Sequence, residues 1–517
     1  MSRRVMKCHA MSEKPEEAIP AAATDVRLQH IVSLAKSGDF QAAVAAARKL
    51  ADKVVARDAW RLLSEMNANL QRWDDAVSDI ENALRFDADS RQLRLLRAML
   101  LEQQGNDRAA LAEFETLARE AGDPPQLLVH LAAQLASAGR ADEAELLLVR
   151  ALQDSPAHAA LHLQLARLRW LRGAGLEAMR ELLDAIERLP RELQLRLVAA
   201  ELLRNAGAAD QALGLLERGL ALAPDSATFR TSIGVLLEGM DRLDEALPYL
   251  REAQRRAPHS VAARRGLIPA LLRTGAAQEA RAICEKLLAQ FPEDQLLIAQ
   301  RATALRLLGD SEYRRLYDYP RLVKLFALRP VAPFANIAEF NAAFARELGP
   351  LHRAAQHPLD QSLRGGSQTE RHLPRENAVV AAFFAMIDAP IREYLGSLHG
   401  ADHSHPLDKR RRAGYRIAGS WSVQLHPGGF HIDHVHPRGW LSSAYYIALP
   451  DANAAEPRGG WLKFGAAGMR VDGCTAEHFV EPVEGTLVLF PSYMWHGTVP
   501  FATGGTRLTA AFDVVPA

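Results

Sequence analysis

Between residues 23 and 309 the apolar positions fall at helical spacing, and the pattern repeats every 34 residues. Each unit reads as two amphipathic helices joined by a tight turn. The turn positions are Ser37, Gln71, Gly105, Gly139, Gly173, Gly207, Asp241, Gly275 and Gly309. At a fixed offset past the first eight comes alanine: Ala42, Ala76, Ala110, Ala144, Ala178, Ala212, Ala246 and Ala280. Another small residue recurs where helices must cross closely, at Ser64, Ala98, Ala132, Ala166, Ala200, Gly234 and Ala302. Pro156, Pro190, Pro224, Pro258 and Pro292 end the second helix of their units, because proline cannot continue the hydrogen-bond ladder. One helix pair cannot bury its apolar face alone, so the units must stack into a solenoid. Roughly eight units and a partial ninth cover residues 23–317.

The period fails after Gly309. Residues 313–348 hold Tyr-Pro, Arg-Pro and Ala-Pro steps, then a helical pattern from 337 onward. The stretch HPLDQSLRGGSQT, 357–369, reads as a flexible polar loop, either a lid or an ordinary connector. A further helix is expected over 376–399. From residue 416 the period drops to two, in the runs IAGSWSVQL, WLSSAYYIAL, GWLKFG, HFVEPVEGTLVLF and RLTAAFDVV, which predict a sandwich or barrel. The chain is therefore expected to be multidomain α + β. A leader without order occupies 1–22, an all-α solenoid 23–317, a helical connector and support region 318–412, and a β domain 413–517.

Lys plus Arg and Asp plus Glu both number 62, so no global charge draws the chain to nucleic acid or a membrane. No run of about 18 apolar residues is present, and the N-terminal twenty residues lack the apolar core of a signal peptide. Cys8, Cys284 and Cys474 are odd in number and far apart, which predicts no disulfide framework and a reducing, cytoplasmic setting.

Candidate chemistry concentrates near the C-terminus. His431, Asp433, His434 and His436 fall within six residues, and His496 follows a distant strand. Two adjacent ligands plus one distant histidine make a three-ligand metal site with open positions. Two registers compete for the adjacent pair, His431 with Asp433 and His434 with His436. Imidazole suits Fe(II), Zn, Ni or Cu. Arg507, with Thr509 two residues on and on the same face, offers a guanidinium and a hydroxyl to a carboxylate. Gly365-Gly366 is no phosphate loop, because no Gly-Lys-Ser/Thr follows. His403 and His405, beside the basic run 409–412, are expected in a solvated loop, and His426 and His478 as ordinary polar side chains.

The 34-residue spacing resembles the tetratricopeptide repeat. That resemblance implies a concave face that holds a peptide or partner protein, with a rigid spacer as the alternative. Arg91, Arg94, Arg97, Arg167 and Arg169 either line such a groove for acidic groups or form a solvated face. In the C-terminal part, HxHP, LSSAYYIALP, GWLKFG, PxxGTLVLFPSxxxH and RxT in that order resemble the 2-oxoglutarate/Fe(II)-dependent oxygenases. The likeness is to the bacterial branch that carries tetratricopeptide repeats ahead of a double-stranded β-helix (jelly-roll) domain, and SLRGGSQT belongs to it. The resemblance implies that His434, His436 and His496 bind Fe(II), that Arg507 and Thr509 grip the distal carboxylate of 2-oxoglutarate, and that Tyr446 assists. The wider superfamily has a carboxylate where His436 stands, so Asp433 would be an orienting partner for a ligand imidazole. The expected activity is hydroxylation of a C–H bond with dioxygen, releasing succinate and carbon dioxide. The expected substrate is a protein or peptide recruited by the solenoid, with a small molecule or glycan precursor as the alternative. Two other readings stand beside it: a non-catalytic interaction scaffold with a degenerate cupin-like barrel, and a Zn or Ni cupin enzyme in which Arg507 and Thr509 have no evident task.

Overall fold

The computed structural model describes residues 21–36, 40–53, 57–120, 124–369, 372–398, 404–409, 414–450, 457–502 and 504–517. Nearly all of the leader read over 1–22 lies outside these residues, as do Cys8, Ser37, His403 and residues 410–412. The chain divides into two compact units, Met1–Gly122 and Asp123–Ala517.

Within each unit the repeats are paired helices, and the turn explains the period. Gln71 and Asp241 have φ of 57° and 64°, and Gly105, Gly139, Gly173, Gly207, Gly275 and Gly309 have φ between 67° and 92°. Each of these eight residues is the left-handed stop after a first helix. The next residue's N–H then reaches back five positions, as from Arg140 to Leu135 O at 2.8 Å and from Ala208 to Leu203 O at 2.8 Å. Glycine takes this conformation without strain, while Gln71 and Asp241 adopt it at a cost of about 1 kcal/mol each. The recurring alanines from Ala76 to Ala280 are buried, and so are the small residues at the crossings. A Cβ on Gly234 would lie 2.5 Å from Leu250. The first unit departs: Ala42 is half-buried and Ala43 takes the buried position.

Among the described residues the second unit continues into nine strands: β1 Lys324–Ala327, β2 Leu363–Gln368, β3 Tyr415–His431, β4 Leu441–Ala448, β5 Leu462–Phe464, β6 His478–Val480, β7 Thr486–Pro491, β8 His496–Thr498 and β9 Arg507–Pro516. They form a six-stranded antiparallel sheet, β1-β7-β4-β9-β3-β2, and a three-stranded sheet, β6-β5-β8. Phe464 of β5 meets Phe490 of β7 edge to face at 5.0 Å, so the two sheets share an apolar interior, the jelly-roll arrangement. Helices Ile337–Leu348 and Ala378–Ser397 cover the large sheet. Phe340 and Phe383 both pack on Tyr445, with Phe344 between them.

Four expectations are corrected. The region 318–412 is not helical throughout, since it supplies the edge strands β1 and β2. The stretch 357–369 is not a free loop: its glycines allow β2 to press against β3, where a Cβ on Gly366 would lie 2.2 Å from Gln424 O. HFVEPVEGTLVLF is two strands, because residues 481–485 carry the chain from one sheet to the other. His405 is buried, 3.5 Å from the Tyr493 hydroxyl, rather than solvated.

The last repeat is joined to the β domain by polar contacts at a shared apolar core that runs from Ala166 to Val514. Trp495 Nε1 donates to Thr303 Oγ1 at 3.0 Å, and Tyr317 hydroxyl accepts from Trp495 N at 3.1 Å. Tyr493 hydroxyl donates to Leu316 O at 2.8 Å. Glu477 accepts from the Tyr313 and Tyr319 hydroxyls and pairs with Arg306 at 3.4 Å. No described helix is long and apolar enough to cross a membrane.

The glycine contact between β2 and β3 is testable. A Cβ on Gly429 would lie 2.3 Å from Gly365 O and 2.7 Å from His426 O, both backbone atoms, whereas one on Gly396 meets nothing within 4 Å. Gly429→Ala should destabilise by about 1–3 kcal/mol. Gly396→Ala, inside a helix, should be neutral or stabilising by up to about 1 kcal/mol. Denaturant unfolding of the two variants side by side measures the difference.

Candidate metal centre

Three imidazoles meet where the two sheets touch. His434 and His496 form an isolated antiparallel bridge, with His434 N donating to His496 O at 2.9 Å and His496 N to His434 O at 3.0 Å. His436 is fixed by its own N–H, which donates to Ser492 O at 3.1 Å. The sequence pattern predicts that His496 directly follows a strand. Instead β3 has ended at His431, β7 has ended at Pro491, and His496 opens β8. Backbone bridging, rather than strand alternation, brings the rings together. One ligand nitrogen from each of His434, His436 and His496 lies within 4.8 Å of the others.

The tautomers follow from the partners. His434 Nδ1 lies 2.8 Å from Ile432 O, and His496 Nδ1 lies 2.9 Å from Met494 O. A carbonyl only accepts, so each Nδ1 carries the proton and each Nε2 keeps its lone pair. His436 Nδ1 faces both Asp513 oxygens at 2.6 and 2.8 Å, with the same result. The His434 and His436 Nε2 atoms then stand 3.2 Å apart, two lone pairs that a cation between them would satisfy. Burial pushes His434 down to about 3 and His496 well below the usual imidazole range, so both are neutral donors at ordinary pH. The donor set fits a borderline divalent ion such as Fe(II).

The competing register goes elsewhere. Asp433 accepts from Lys463 Nζ at 2.8 Å and orients no imidazole; burial raises its pKa despite that lysine. His431 lines the same cavity but stays outside the cluster. Ser362 Oγ lies 2.9 Å from His431 Nδ1 and 3.3 Å from His434 Nε2. The orienting carboxylate is Asp513, which the sequence reading missed, and it also accepts from Ser442 Oγ at 2.8 Å. Its signal was available, since Asp513 stands on the same face of β9 as Arg507 and Thr509.

The three imidazoles, Arg507 and Thr509 line one cavity of about 750 Å³. The Arg507 guanidinium lies 5.1 Å from the Tyr446 ring centre, a cation–π contact. Arg507 is 3% exposed, and burial lowers its pKa. Its Nε and the Tyr446 hydroxyl are buried and satisfied by nothing closer than one another, and no described carboxylate pairs with the guanidinium. A buried cation without a counterion is costly, and an anion in the cavity would relieve it. His426 is exposed, and His478 stacks on Tyr319 at 5.1 Å, so neither joins the site.

Comparison with known proteins agrees with this architecture. Residues 419–513 match the family described as "Putative 2OG-Fe(II) oxygenase". Residues 28–91, 68–125, 197–259 and 231–295 match the tetratricopeptide repeat. The chain therefore carries tetratricopeptide repeats followed by a domain of that oxygenase family, whose members imply Fe(II) and 2-oxoglutarate. No curated protein matches the sequence. Among solved structures, a tetratricopeptide repeat protein from Parabacteroides merdae is 16% identical, over 48% of this chain and 100% of that one, with a TM-score of 0.34. A thermophilic tetratricopeptide protein from Thermus thermophilus is 28% identical, over 35% and 98%, with a TM-score of 0.28. A Pseudomonas putida prolyl-4-hydroxylase is 18% identical, over 39% and 97%, with a TM-score of 0.27.

The Asp513 contact predicts a specific loss. Asp513→Asn removes the charge behind His436 and frees its tautomer, so Fe(II) affinity should fall roughly ten- to a hundredfold. Asp433→Asn should leave it within about threefold, because Asp433 touches no imidazole of the cluster. Competitive titration of the two variants against a coloured chelator reads both.

Proposed function

We propose that this protein is an Fe(II)- and 2-oxoglutarate-dependent oxygenase that hydroxylates a protein or peptide held by its repeats. The observation that carries this reading is the pairing, in one cavity, of three imidazoles whose ligand nitrogens lie within 4.8 Å of one another with a buried guanidinium that no described carboxylate pairs. His434, His436 and His496 would hold the iron. Arg507 would take the distal carboxylate of 2-oxoglutarate as a fork, with Thr509 beside it and the Tyr446 hydroxyl as a further donor. When bound, iron and 2-oxoglutarate supply the oxidising chemistry, with decarboxylation to succinate coupled to hydroxylation of a C–H bond.

The chain's own residues supply geometry and dryness. With three imidazoles and no carboxylate ligand, the site adds no negative charge of its own, so a dianionic co-substrate is attracted both by the ion and by Arg507. Asp513 returns part of a negative charge through His436. Phe490, 4.6 Å from the His496 ring, and Trp421, 5.5 Å from His436, wall the cavity with aromatic surface that excludes water.

With Fe(II) added, the protein should release succinate from 2-oxoglutarate, and a chelator should stop it. His496→Ala should fall to the blank. An absence of succinate from the wild type at every iron level would leave the non-catalytic scaffold. Arg507→Gln should keep its iron and raise the KM for 2-oxoglutarate roughly ten- to a hundredfold, the worth of a forked charge-assisted contact.

A further inference from the structure

We infer that the cavity is built to receive an acidic segment of polypeptide, gripped at its mouth by Arg204, Arg364 and Arg438. The inference deepens the oxygenase reading and rests on it for what happens to the segment once bound.

The cavity is not closed by the β domain alone. Its wall includes Glu201, Arg204 and Asn205 at the end of helix Leu193–Asn205, a repeat helix of the same compact unit. About 750 Å³ is far more than an ion and a five-carbon diacid fill, and is in the range of sites that enclose larger ligands. The repeats therefore reach the place where chemistry would occur, and whatever they hold is delivered against the three imidazoles.

The charge around that mouth is unbalanced. Arg364 is half-buried and donates only to the carbonyls of Gln361 and Leu363, at 2.8 and 2.7 Å. Burial with no carboxylate beside it lowers its pKa. Arg438 is exposed and forms no ion pair among the described residues; Arg204, also exposed, donates only to Asn205 Oδ1, at 3.3 Å. The carboxylates on the same wall are mostly engaged: Asp360 with Arg167 at 3.0 Å, and Asp513 with His436 and Ser442. Glu201 alone is free of an ion pair, and it is exposed on the rim. The iron and 2-oxoglutarate charges would cancel one another, and Arg507 would be used by the co-substrate. Three guanidiniums are left for the substrate.

Their positions set the register. Ser362 touches His434, and Arg364 follows two residues on, on the same face of the chain and roughly 7 Å along it. Arg438 stands two residues beyond His436. An extended segment that presents one residue to the imidazoles would set its neighbours two positions away beside these arginines. The inferred substrate carries Asp or Glu within two or three positions of the residue that reacts. Guanidinium is suited to that carboxylate, and the loss of exposed charge pairing in salt gives the contact a signature.

The test uses the full chain with Fe(II) and 2-oxoglutarate under nitrogen, so that binding is read without turnover. Three fluorescein-labelled pools of Gly/Ser nonapeptides, with the central position varied, carry two flanking Glu, two flanking Lys or neither. Fluorescence anisotropy should show the Glu pool at least about tenfold tighter than the others and weakening with salt. Arg364→Gln should cost about three- to tenfold. Arg204→Gln with Arg438→Gln, both exposed and expected to leave the melting temperature unchanged, should together cost about fivefold. Equal affinity for the three pools, or no loss in either the single or the double variant, would overturn the inference. So would free glutarate or inorganic phosphate competing as tightly as the Glu pool, which would make the ligand a small anion. A protein that binds the Glu pool as expected but never releases succinate would sink the oxygenase reading and leave this one standing.

Discussion

Two backbone hydrogen bonds between His434 and His496 hold the site together. They join the chain after β3 to the start of β8, and they fix two of the three imidazoles by main chain rather than by side-chain packing. A main-chain bridge leaves the rings free to be set by their Nδ1 partners, and each of these partners is an acceptor. The result is three lone pairs with few alternatives to a shared cation. Each hydrogen bond contributes about 1 kcal/mol net, but loss of any one would leave a buried polar atom unmatched, which costs more.

That bridge depends on the repeats. Trp495 precedes His496, and both its backbone N–H and its indole N–H are satisfied by residues of the last repeat and the short helix after it, Tyr317 and Thr303. The β domain reciprocates through Tyr493 and the Glu477 cluster. Removing the solenoid would expose a tryptophan and strand several buried donors beside a ligand. The last repeat is therefore part of the support of the site, and helix Leu193–Asn205 is part of its wall. In physical terms the repeats from Ala166 onward share one core with most of the β domain, and a boundary drawn by change of period, at 317, does not mark a boundary in packing.

How much of this the sequence displayed depended on whether a feature was local. The 34-residue period was legible because each turn residue closes a hydrogen bond five positions back, a contact contained in one unit. The order of His434, His436, His496, Arg507 and Thr509 was legible because each stands in a short motif. The strand β2 was not, since Gly365 and Gly366 are loop residues by propensity and become strand only against Gly429 and Leu425 of β3, about sixty positions away. Asp513 was overlooked because its partner His436 is equally remote, and Asp433 was favoured as an orienting group because it is adjacent. Here sequence adjacency misled: Asp433 turns to Lys463 across the small sheet, where a buried carboxylate finds an ammonium.

On the proposed reading His436 would stand in place of a ligand carboxylate, with a consequence that runs through the whole site. A carboxylate on the ion would offset part of its charge directly; here the nearest negative charge is one imidazole away, on Asp513. Polarised through His436 Nδ1, that charge strengthens the donor without occupying a coordination position. The ion would then hold anions more tightly, and Arg507, buried without a counterion, pulls in the same direction. Arg507 is the buried positive charge beside the three imidazoles, and no described carboxylate pairs with it. On the proposed reading a dianionic co-substrate would offset that charge. Iron and Arg507 would then draw the two ends of the same dianion, one electrostatic balance spanning the cavity.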